Sequence, residues 1–368
     1  MEIRLFHPYI NERAIENSVQ VLRSRWIGQG PMSTAFEKKA GEILHCNNPV
    51  LVSSGTVALH LALILAGVGP GDEVITTAMT CTATNHPILQ CGAKPVFADI
   101  QYETGNIDPH DIYHRITSKT KAIMCVHWAG YPCDMSELVQ VAEIAGIPII
   151  QDGAHAQGAT YKGQPIAAWS EYFMTSFQAI KTITSVEGGL LNCPNEDKAE
   201  RAQRLRWFAI DRENRTPAPD GYYDHRDIDE TGYKYQPNDV FSAIGLGNIQ
   251  DFHRLLNDRR LMASYYHSEL ADVSGVTLFD KQLDRASGHW LFTIHVERRD
   301  DFIAAMASRG VEAGVIHRRN DIYGAFGGRR DDLPNLDEFE KTYVSIPIGN
   351  HLKIYEVEYV IDAIEKGW

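Results

Sequence analysis

The sequence lacks the features of several large protein classes. Its longest apolar run, residues 57–68, is interrupted by His60 and falls short of the roughly 20 residues that a membrane-spanning helix needs. The N-terminal segment has no basic region followed by an apolar core, so no signal peptide is predicted. Acidic residues outnumber basic ones, 48 to 35, which leaves no surplus of positive charge for nucleic-acid phosphates. We therefore expect a cytoplasmic protein that binds neither membranes nor nucleic acid.

Metal-binding and common hydrolase motifs are also missing. The six cysteines form no Cys-x-x-Cys pair, so we expect reduced thiols rather than disulfides or a zinc site. The chain has no His-Glu-x-x-His helix, no Gly-x-Ser-x-Gly elbow and no Walker loop. No metal site is predicted.

The first two thirds of the chain alternate short β-branched runs with helical segments. The predicted strands follow one another in this order: residues 49–52, 73–76, 95–98, 122–126, 147–150 and 172–177. Such alternation is typical of an α/β domain with a largely parallel sheet, in which ligands bind at the carboxyl ends of the strands. Ser33 is predicted to cap a helix that ends at Leu44.

The last third of the chain has a different order of elements. A long helix from about residue 250 to 272 leads to a predicted strand over 291–296, a helix over 299–309, a second strand over 311–316 and a terminal helix over 354–366. We therefore predict two domains, a large α/β domain over residues 1–249 and a small α+β domain over residues 250–368.

Polar residues follow several of the predicted strands. Gly55 and Thr56 open a helix directly after a strand, where free N–H groups bind phosphate well, although a plain helix cap also explains this stretch. Asp152 follows a fully apolar strand, where it either caps a turn or holds a pyridine nitrogen protonated. His155 either contacts the same ligand or is a core histidine.

Lys181 follows the most aromatic of the strands and lies in a loop rich in hydroxyl side chains. A buried lysine can lose its proton and form a Schiff base with a carbonyl, whereas one that extends from a strand end to solvent cannot do so readily. Together with Ser176, Asp152 and the helix start at Gly55, this lysine suits pyridoxal 5′-phosphate (PLP). That cofactor needs a phosphate anchor, a partner for its ring nitrogen and an amine for its aldehyde.

Eight motifs, taken in order, resemble those of the DegT/DnrJ/EryC1/StrS sugar aminotransferases, which are PLP-dependent enzymes. The motifs are 26–31 (WIGQGP), 53–59 (SSGTVAL), 69–75 (GPGDEVI), 126–130 (VHWAG), 151–159 (QDGAHAQGA), 176–181 (SFQAIK), 187–189 (EGG) and 235–239 (YQPND). The resemblance covers nearly the whole chain. It implies a type I aminotransferase fold, with a mostly parallel mixed sheet in the large domain and a small C-terminal α+β domain.

The resemblance also implies roles for the residues that match these motifs. Lys181 and Asp152 would be catalytic, the first as the Schiff-base lysine and proton carrier, the second as the partner of the ring nitrogen. The implied cofactor-binding residues are Gly55, Thr56, Cys81, Asp152, His155, Ser176 and Lys181. Family members are homodimers with shared active sites, so Asn238 would reach the phosphate of the neighbouring subunit. On the substrate side the resemblance implies His317.

The substrate side departs most from the family. Arg318 and Arg319 replace a more usual Tyr-Pro pair and are candidates for binding the diphosphate of a nucleotide sugar or another anion, although a solvated turn also fits them. Cys81 stands where an aromatic residue usually stacks on the cofactor ring, and Gln178 stands where His is frequent. Lys181 is retained where a dehydratase branch of the family has His, which favours transamination.

The implied reaction transfers the amino group of L-glutamate to a keto-sugar. The expected substrate is a nucleotide-linked 3- or 4-keto-6-deoxy sugar, and the product an amino sugar for a surface polysaccharide or a natural product. Two alternatives stay open at this point: a PLP-dependent sugar dehydratase or epimerase, and a catalytically silent regulator with the same fold.

Overall fold

The computed structural model describes residues 2–212, 214–224 and 228–368. Its strands are β1 (Pro49–Val52), β2 (Glu73–Thr77), β3 (Lys94–Ala98), β4 (Thr120–Val126), β5 (Ile149–Asp152), β6 (Thr160–Tyr161), β7 (Gln164–Pro165), β8 (Tyr172–Ser176), β9 (Gly189–Asn192), β10 (Thr216–Pro217), β11 (Tyr223–Asp224), β12 (Val276–Leu278), β13 (Arg285–Ala286), β14 (Phe292–Val296) and β15 (Tyr343–Ile346). Its α-helices are α1 (Glu12–Ser24), α2 (Pro31–Leu44), α3 (Gly55–Leu65), α4 (Thr82–Gln90), α5 (Pro109–Arg115), α6 (Met135–Ala145), α7 (Glu196–Leu205), α8 (Asp239–Asn248), α9 (Phe252–Glu269), α10 (Arg299–Ser308), α11 (Pro334–Thr342) and α12 (Ile354–Glu365).

The largest sheet has the strand order β1-β9-β8-β5-β4-β2-β3. Its strands are parallel except β9, which runs antiparallel to both β1 and β8. Successive residues such as Ile123 and Met124 contribute to two separate hydrophobic cores, one on each face of the sheet. A sheet buried on both faces explains the continuous apolar runs of the sequence. The predicted α/β class with a mostly parallel mixed sheet is confirmed.

Helix α3 lies in one of these cores and is apolar around its whole circumference, as expected for a helix without a solvent face. The side chain of Ser54 caps its first turn by accepting a hydrogen bond from the N–H of Val57. The helix therefore starts directly after β1, at the carboxyl edge of the sheet, where it presents its free N–H groups.

The C-terminal part of the chain has its own three-stranded sheet, in the order β12-β14-β15, and its own core. Helix α9 joins the two parts, because Phe252 packs in the core of the large sheet whereas Tyr266 packs in the C-terminal core. Ile3 pairs with Val311, so the first residues of the chain also pack against the C-terminal core. The division of the chain after residue 249 stays a prediction.

Two local expectations were wrong. The segment 311–316 forms no strand, because it makes only single pairings, from Val311 to Ile3 and from Gly314 to Ser345. Ser33 does not cap helix α2, which already begins at Pro31; instead the Ser33 hydroxyl donates to a carboxylate oxygen of Asp239, at 2.7 Å.

Between residues 211 and 232 the sequence predicts a long loop. In its described part β10 pairs with β11 as a short antiparallel hairpin, while residues 213 and 225–227 lie outside the described residues. No helix in the described part of the chain is long and apolar enough to cross a membrane.

Candidate active site

A cavity of about 290 Å³ lies at the carboxyl edge of the large sheet. It is lined by residues from the ends of several strands and from the C-terminal part of the chain. The predicted residues that it brings together are Gly55, Thr56, Cys81, Asp152, His155, Ser176, Lys181 and His317. Residues far apart in sequence therefore meet in one site, as the parallel topology requires.

One end of the cavity is formed by the start of α3 and by two closely packed backbone segments. A Cβ atom on Gly189 would lie only 2.4 Å from the carbonyl oxygen of Ser54, and one on Gly55 would lie 3.0 Å from the Cβ of Ser176. Glycine is therefore required at position 189 for β9 to pack against the backbone before the helix, while Gly55 leaves just enough room for the Ser176 side chain at the end of β8. The free N–H groups of that turn and the Ser176 hydroxyl fit a phosphate group.

Asp152 lies at the end of β5 and is almost completely buried. Its carboxylate accepts hydrogen bonds from the Thr84 hydroxyl, at 2.7 Å, and from the N–H of Ala154, at 3.0 Å. Burial raises the pKa of this carboxyl group, against the opposing effect of these two donors and of Lys181. A buried carboxylate that faces a cavity fits a cationic N–H group of a bound ring. Sequence reasoning missed Thr84, which lies on α4 two residues after its start.

Lys181 extends into the same cavity. Burial lowers the pKa of its ammonium group to about 8, although Asp152 and Cys81 act in the opposite direction. Its Nζ atom lies 3.6 Å from the centre of the Trp290 ring, whose Nε1 donates a hydrogen bond to the carbonyl of Ile180 at 2.9 Å. Trp290 therefore holds both the lysine head group and its neighbouring backbone. Sequence reasoning missed Trp290, because it lies more than 100 positions from the lysine.

The lowered pKa of Lys181 predicts how uptake of PLP depends on pH. Only the neutral amine attacks an aldehyde, so the rate of covalent uptake by cofactor-free protein should rise about tenfold per pH unit below the pKa. Above pH of about 8 the rate should level off. Stopped-flow absorbance of the cofactor measures this profile. A midpoint near the ordinary lysine value of 10.5 would contradict the buried position of the amine.

Two histidines complete the wall of the cavity. The His155 ring stacks on Trp290 with centroids 3.9 Å apart, and His317 lies 5.6 Å away in a parallel plane. Burial lowers the pKa of both, that of His317 to about 3, and the charge of Lys181 adds to the effect. Both rings are therefore neutral at pH 7. The Nδ1 of His155 and the Nε2 of His317 are buried without a partner in the described protein, which is typical of a site that awaits a polar ligand.

Arg318 and Arg319 occupy different environments. Arg318 is exposed, whereas Arg319 is completely buried. The guanidinium of Arg319 donates two hydrogen bonds to Asp321, at 2.6 and 2.7 Å, and another to Asp337. The predicted role of Arg319 in binding a substrate anion is therefore wrong for this arrangement, because its donors are already used within the protein. It fixes the segment after His317 instead.

Replacing Arg319 should therefore affect stability. Arg319→Met leaves the carboxylate of Asp321 buried and unpaired, and we expect it to lower the free energy of unfolding by about 3–5 kcal/mol. Arg318→Met is the matched control and should leave the unfolding midpoint unchanged. Urea denaturation of the cofactor-free protein measures both. Equal stability of Arg319→Met and the wild type would contradict the structural role.

Asn238 does not line the cavity of its own subunit. Its side chain caps α8 by accepting a hydrogen bond from the N–H of Phe241 at 2.9 Å, and it lines a small pocket together with Glu187 and Gly188. Its implied contact with the phosphate in a neighbouring subunit stays a prediction. The structure also places Gln178 in the cavity wall, where its side chain accepts a hydrogen bond from the N–H of Ile180.

Comparisons with known proteins agree with this geometry. A model of the DegT/DnrJ/EryC1/StrS aminotransferase family matches residues 8–365. The UDP-4-amino-4-deoxy-L-arabinose–oxoglutarate aminotransferase of Shewanella sediminis is 32% identical over an alignment that covers 98% of this chain and 97% of that protein. The sugar aminotransferase CalS13 of Micromonospora echinospora is 32% identical, with a TM-score of 0.94 over 100% of both chains. Spr1654 of Streptococcus pneumoniae, solved in a PLP form, is 30% identical, with a TM-score of 0.92 over 100% of this chain and 98% of that one. The implied type I aminotransferase fold is confirmed.

Proposed function

This chain belongs to the DegT/DnrJ/EryC1/StrS aminotransferase family of PLP-dependent sugar aminotransferases, and we propose that it transfers the amino group of L-glutamate to a nucleotide-linked keto-sugar. The expected acceptor is a 3- or 4-keto-6-deoxy sugar. The product would be an amino sugar for a surface polysaccharide or a natural product. One observation carries the proposal: a lysine with a lowered pKa shares a cavity with a buried aspartate and a helix start that suits phosphate.

The residues of the cavity fit PLP at three points. The N–H groups of Gly55 and Thr56, with the Ser176 hydroxyl, would hold the phosphate. Asp152 would accept a hydrogen bond from the ring nitrogen, and Lys181 would hold the cofactor covalently through Nζ. When bound, PLP supplies a carbonyl for the amino group and a ring that withdraws electrons from the carbon that loses a proton.

The chain itself would then move protons and exclude water. Burial lowers the pKa of the Lys181 ammonium group to about 8, so a larger fraction of this amine is neutral at a given pH than of an ordinary lysine, and in that form it would take the α-proton of the donor. The carboxylate of Asp152 would keep the ring nitrogen protonated. Neutral His155 and His317 each present a free ring nitrogen to hydroxyl or carbonyl groups in the cavity. The aromatic ring of Trp290 covers the lysine from one side.

Two further observations support a homodimer that acts in the cytoplasm. Helix α1 and the residues after it expose a row of apolar side chains. These are Ile15, Val19, Leu22, Trp26 and Ile27. An exposed apolar patch of this kind on a soluble protein marks an interface, and a second copy of the chain would cover it. The cysteines are all unpaired, as is usual in a reducing compartment.

The donor and the acceptor are tested separately. L-Glutamate alone should convert the enzyme-bound cofactor to its amine form, which is visible as a loss of absorbance at the aldehyde-form band, and should release 2-oxoglutarate. Nucleotide-linked keto-sugars should then reverse the spectral change. The name of the Shewanella relative, which includes both a UDP-sugar and oxoglutarate, supports this pair of substrates. Loss of water from the sugar without formation of 2-oxoglutarate would indicate a dehydratase instead.

A further inference from the structure

Trp290 is held in place from several sides without the help of the Lys181 head group. Its side chain is almost completely buried, and its ring stacks on His155 with centroids 3.9 Å apart and on Phe6 with centroids 5.4 Å apart. Its Nε1 donates a hydrogen bond to the carbonyl of Ile180 at 2.9 Å. The ring therefore keeps its position whether the lysine amine is charged or neutral.

The backbone that carries this ring is strained. His289 has a φ of +44°, in the left-handed region that residues other than glycine rarely adopt. The buried guanidinium of Arg259 donates to the carbonyls of His289 and Trp290, at 3.1 and 3.3 Å. The N–H of Leu291 donates to the carbonyl of Ala129 at 3.2 Å. These hydrogen bonds maintain a conformation that is unfavourable by itself, and such strain is concentrated at functional sites.

The Trp290 ring is the closest partner of the Lys181 amine in the described part of the chain. Nζ lies 3.6 Å from the ring centre, and no described carboxylate lies within ion-pair distance of it. Asp152 and Cys81 act on this amine only through longer-range attraction. The titratable groups that share the cavity with Lys181 are Asp152, Cys81, His155, His317 and Glu187. Both of these histidines are neutral at pH 7, and Glu187 is exposed.

The ring and the burial of the amine act in opposite directions. The face of an indole ring carries partial negative charge and attracts a cation, most strongly where water is excluded. A neutral amine gains much less from the same ring. Burial therefore favours the neutral form of Lys181, whereas Trp290 favours its ammonium form.

We propose that the Trp290 ring stabilises the ammonium group that Lys181 forms when it takes the α-proton, and so makes this lysine a stronger base than burial alone would leave it. This inference rests on the proposed function. In that step the Nζ lone pair forms an N–H bond with the α-proton, while the electron pair of the broken C–H bond is drawn toward the cofactor ring. Positive charge thus develops on Nζ beside an aromatic face that is already in place.

The pH dependence of PLP uptake by the cofactor-free, full-length chain tests this role. Trp290→Leu removes the aromatic face, so the midpoint of uptake should fall by about 1 pH unit. A ring that only excluded water would give the opposite sign, because its loss would admit water and move the midpoint up toward the ordinary lysine value of 10.5. Trp290→Phe keeps an aromatic face and should give a smaller fall.

The matched control for Trp290→Phe is Trp128→Phe. Trp128 is also buried, and it packs edge-on against His155 and His317, but it does not line the cavity. Its replacement should leave the midpoint unchanged. An equal fall in both variants would mean that the midpoint follows the general packing of the site rather than the contact between Trp290 and Nζ.

A second measurement leaves the shape of the side chain nearly unchanged and decides the question even where Trp290→Leu fails to fold. Growth on 5-fluorotryptophan gives indole rings that attract cations less strongly. The midpoint should then fall in the fluorinated wild type, by less than in Trp290→Leu, and should stay constant when Trp290→Phe is fluorinated. An unchanged midpoint in the fluorinated wild type would overturn the inference, as would an unchanged or raised midpoint in Trp290→Leu.

The half-reaction of the PLP-loaded enzyme with L-glutamate tests the effect on rate. At a pH above both midpoints, Trp290→Leu should lower the maximal rate about 3- to 10-fold, because proton transfer follows base strength, and should leave the glutamate concentration for half-maximal rate unchanged. An unchanged maximal rate would contradict the role in proton transfer. Uptake of PLP needs no amino donor. A wild type without the half-reaction would therefore refute the proposed function, while the uptake midpoints would still decide whether the ring stabilises the ammonium group.

Discussion

Lys181→Ala should lower the rate of amino-group transfer by at least about 10³-fold, because the variant loses both the covalent attachment of the cofactor and the group that moves the α-proton. Borohydride reduction of the wild type should leave the mass of the cofactor on the peptide that contains Lys181. The variant should show no such adduct, although the phosphate contacts should still bind the cofactor weakly. Peptide mass spectrometry measures the adduct and a coupled assay for 2-oxoglutarate measures the rate.

The control for this prediction is Lys162→Ala. Lys162 is exposed and lies outside the cavity, and its side chain donates to the Ser136 hydroxyl and lies over the Tyr161 ring. Its replacement should therefore change neither the adduct nor the rate. Added methylamine tests the proton-transfer role, since a small amine that enters the space left by the side chain should restore part of the rate. Turnover of Lys181→Ala at the wild-type rate would exclude Lys181 as the catalytic base.

The sequence predicted the residues that follow strands of the large sheet. Parallel strands end at the same edge, so Asp152 and Ser176 had to lie near each other once their strands were identified. The start of α3 lies at the same edge for the same reason, because β1 runs parallel to β5 and is separated from it only by β9 and β8. Their placement follows from the topology alone and needs no knowledge of side-chain packing.

The C-terminal side of the cavity was less predictable. Trp290 reaches Lys181 through the packing of the segment before β14 against the large domain, and no spacing in the sequence specifies that contact. Asn320 is another such residue: its side chain donates to the carbonyl of Thr80 and accepts from Asn85, which fixes the segment after His317 to the loop that carries Cys81. Such contacts depend on how the C-terminal part of the chain packs against the loops at the edge of the large sheet.

Arg319 shows why residue type alone misassigned one role. Two adjacent arginines in a turn suggest an anion site, and one of them does remain exposed. The other turns inward because Asp321, two residues later, is also buried and accepts both of its parallel N–H groups. Whether such a guanidinium group binds an external anion or a carboxylate of the protein depends on which of the side chains are buried, and the residue types alone do not show this.

The second large effect concerns the carboxylate that faces the ring nitrogen. Asp152→Asn should lower the glutamate half-reaction by about 10²–10³-fold, because an amide cannot supply the negative charge that keeps the ring nitrogen protonated, and loss of one partner of a buried ion pair costs roughly 3–5 kcal/mol. PLP should still bind, since Lys181 and the phosphate contacts are intact. Single-turnover absorbance after addition of L-glutamate measures the rate, and reduction with borohydride measures the covalent cofactor.

A change in stability separates this role from a purely structural one. Without the cofactor, burial raises the pKa of the Asp152 carboxyl group above its value in the unfolded chain. The folded state therefore binds the carboxyl proton more tightly than the unfolded state does. The contribution of this group to the free energy of unfolding falls as the pH rises from the unfolded pKa to the folded pKa. Cofactor-free Asp152→Asn should therefore be at least as stable as the wild type at neutral pH.

Asp99→Asn is the matched control. Asp99 is also buried at a strand end, but its carboxylate accepts hydrogen bonds from the N–H groups of Asn335 and Leu336 at the start of α11. That variant should retain the half-reaction. A loss of rate in both variants, or a strongly destabilised Asp152→Asn, would mean that Asp152 serves the fold rather than the cofactor.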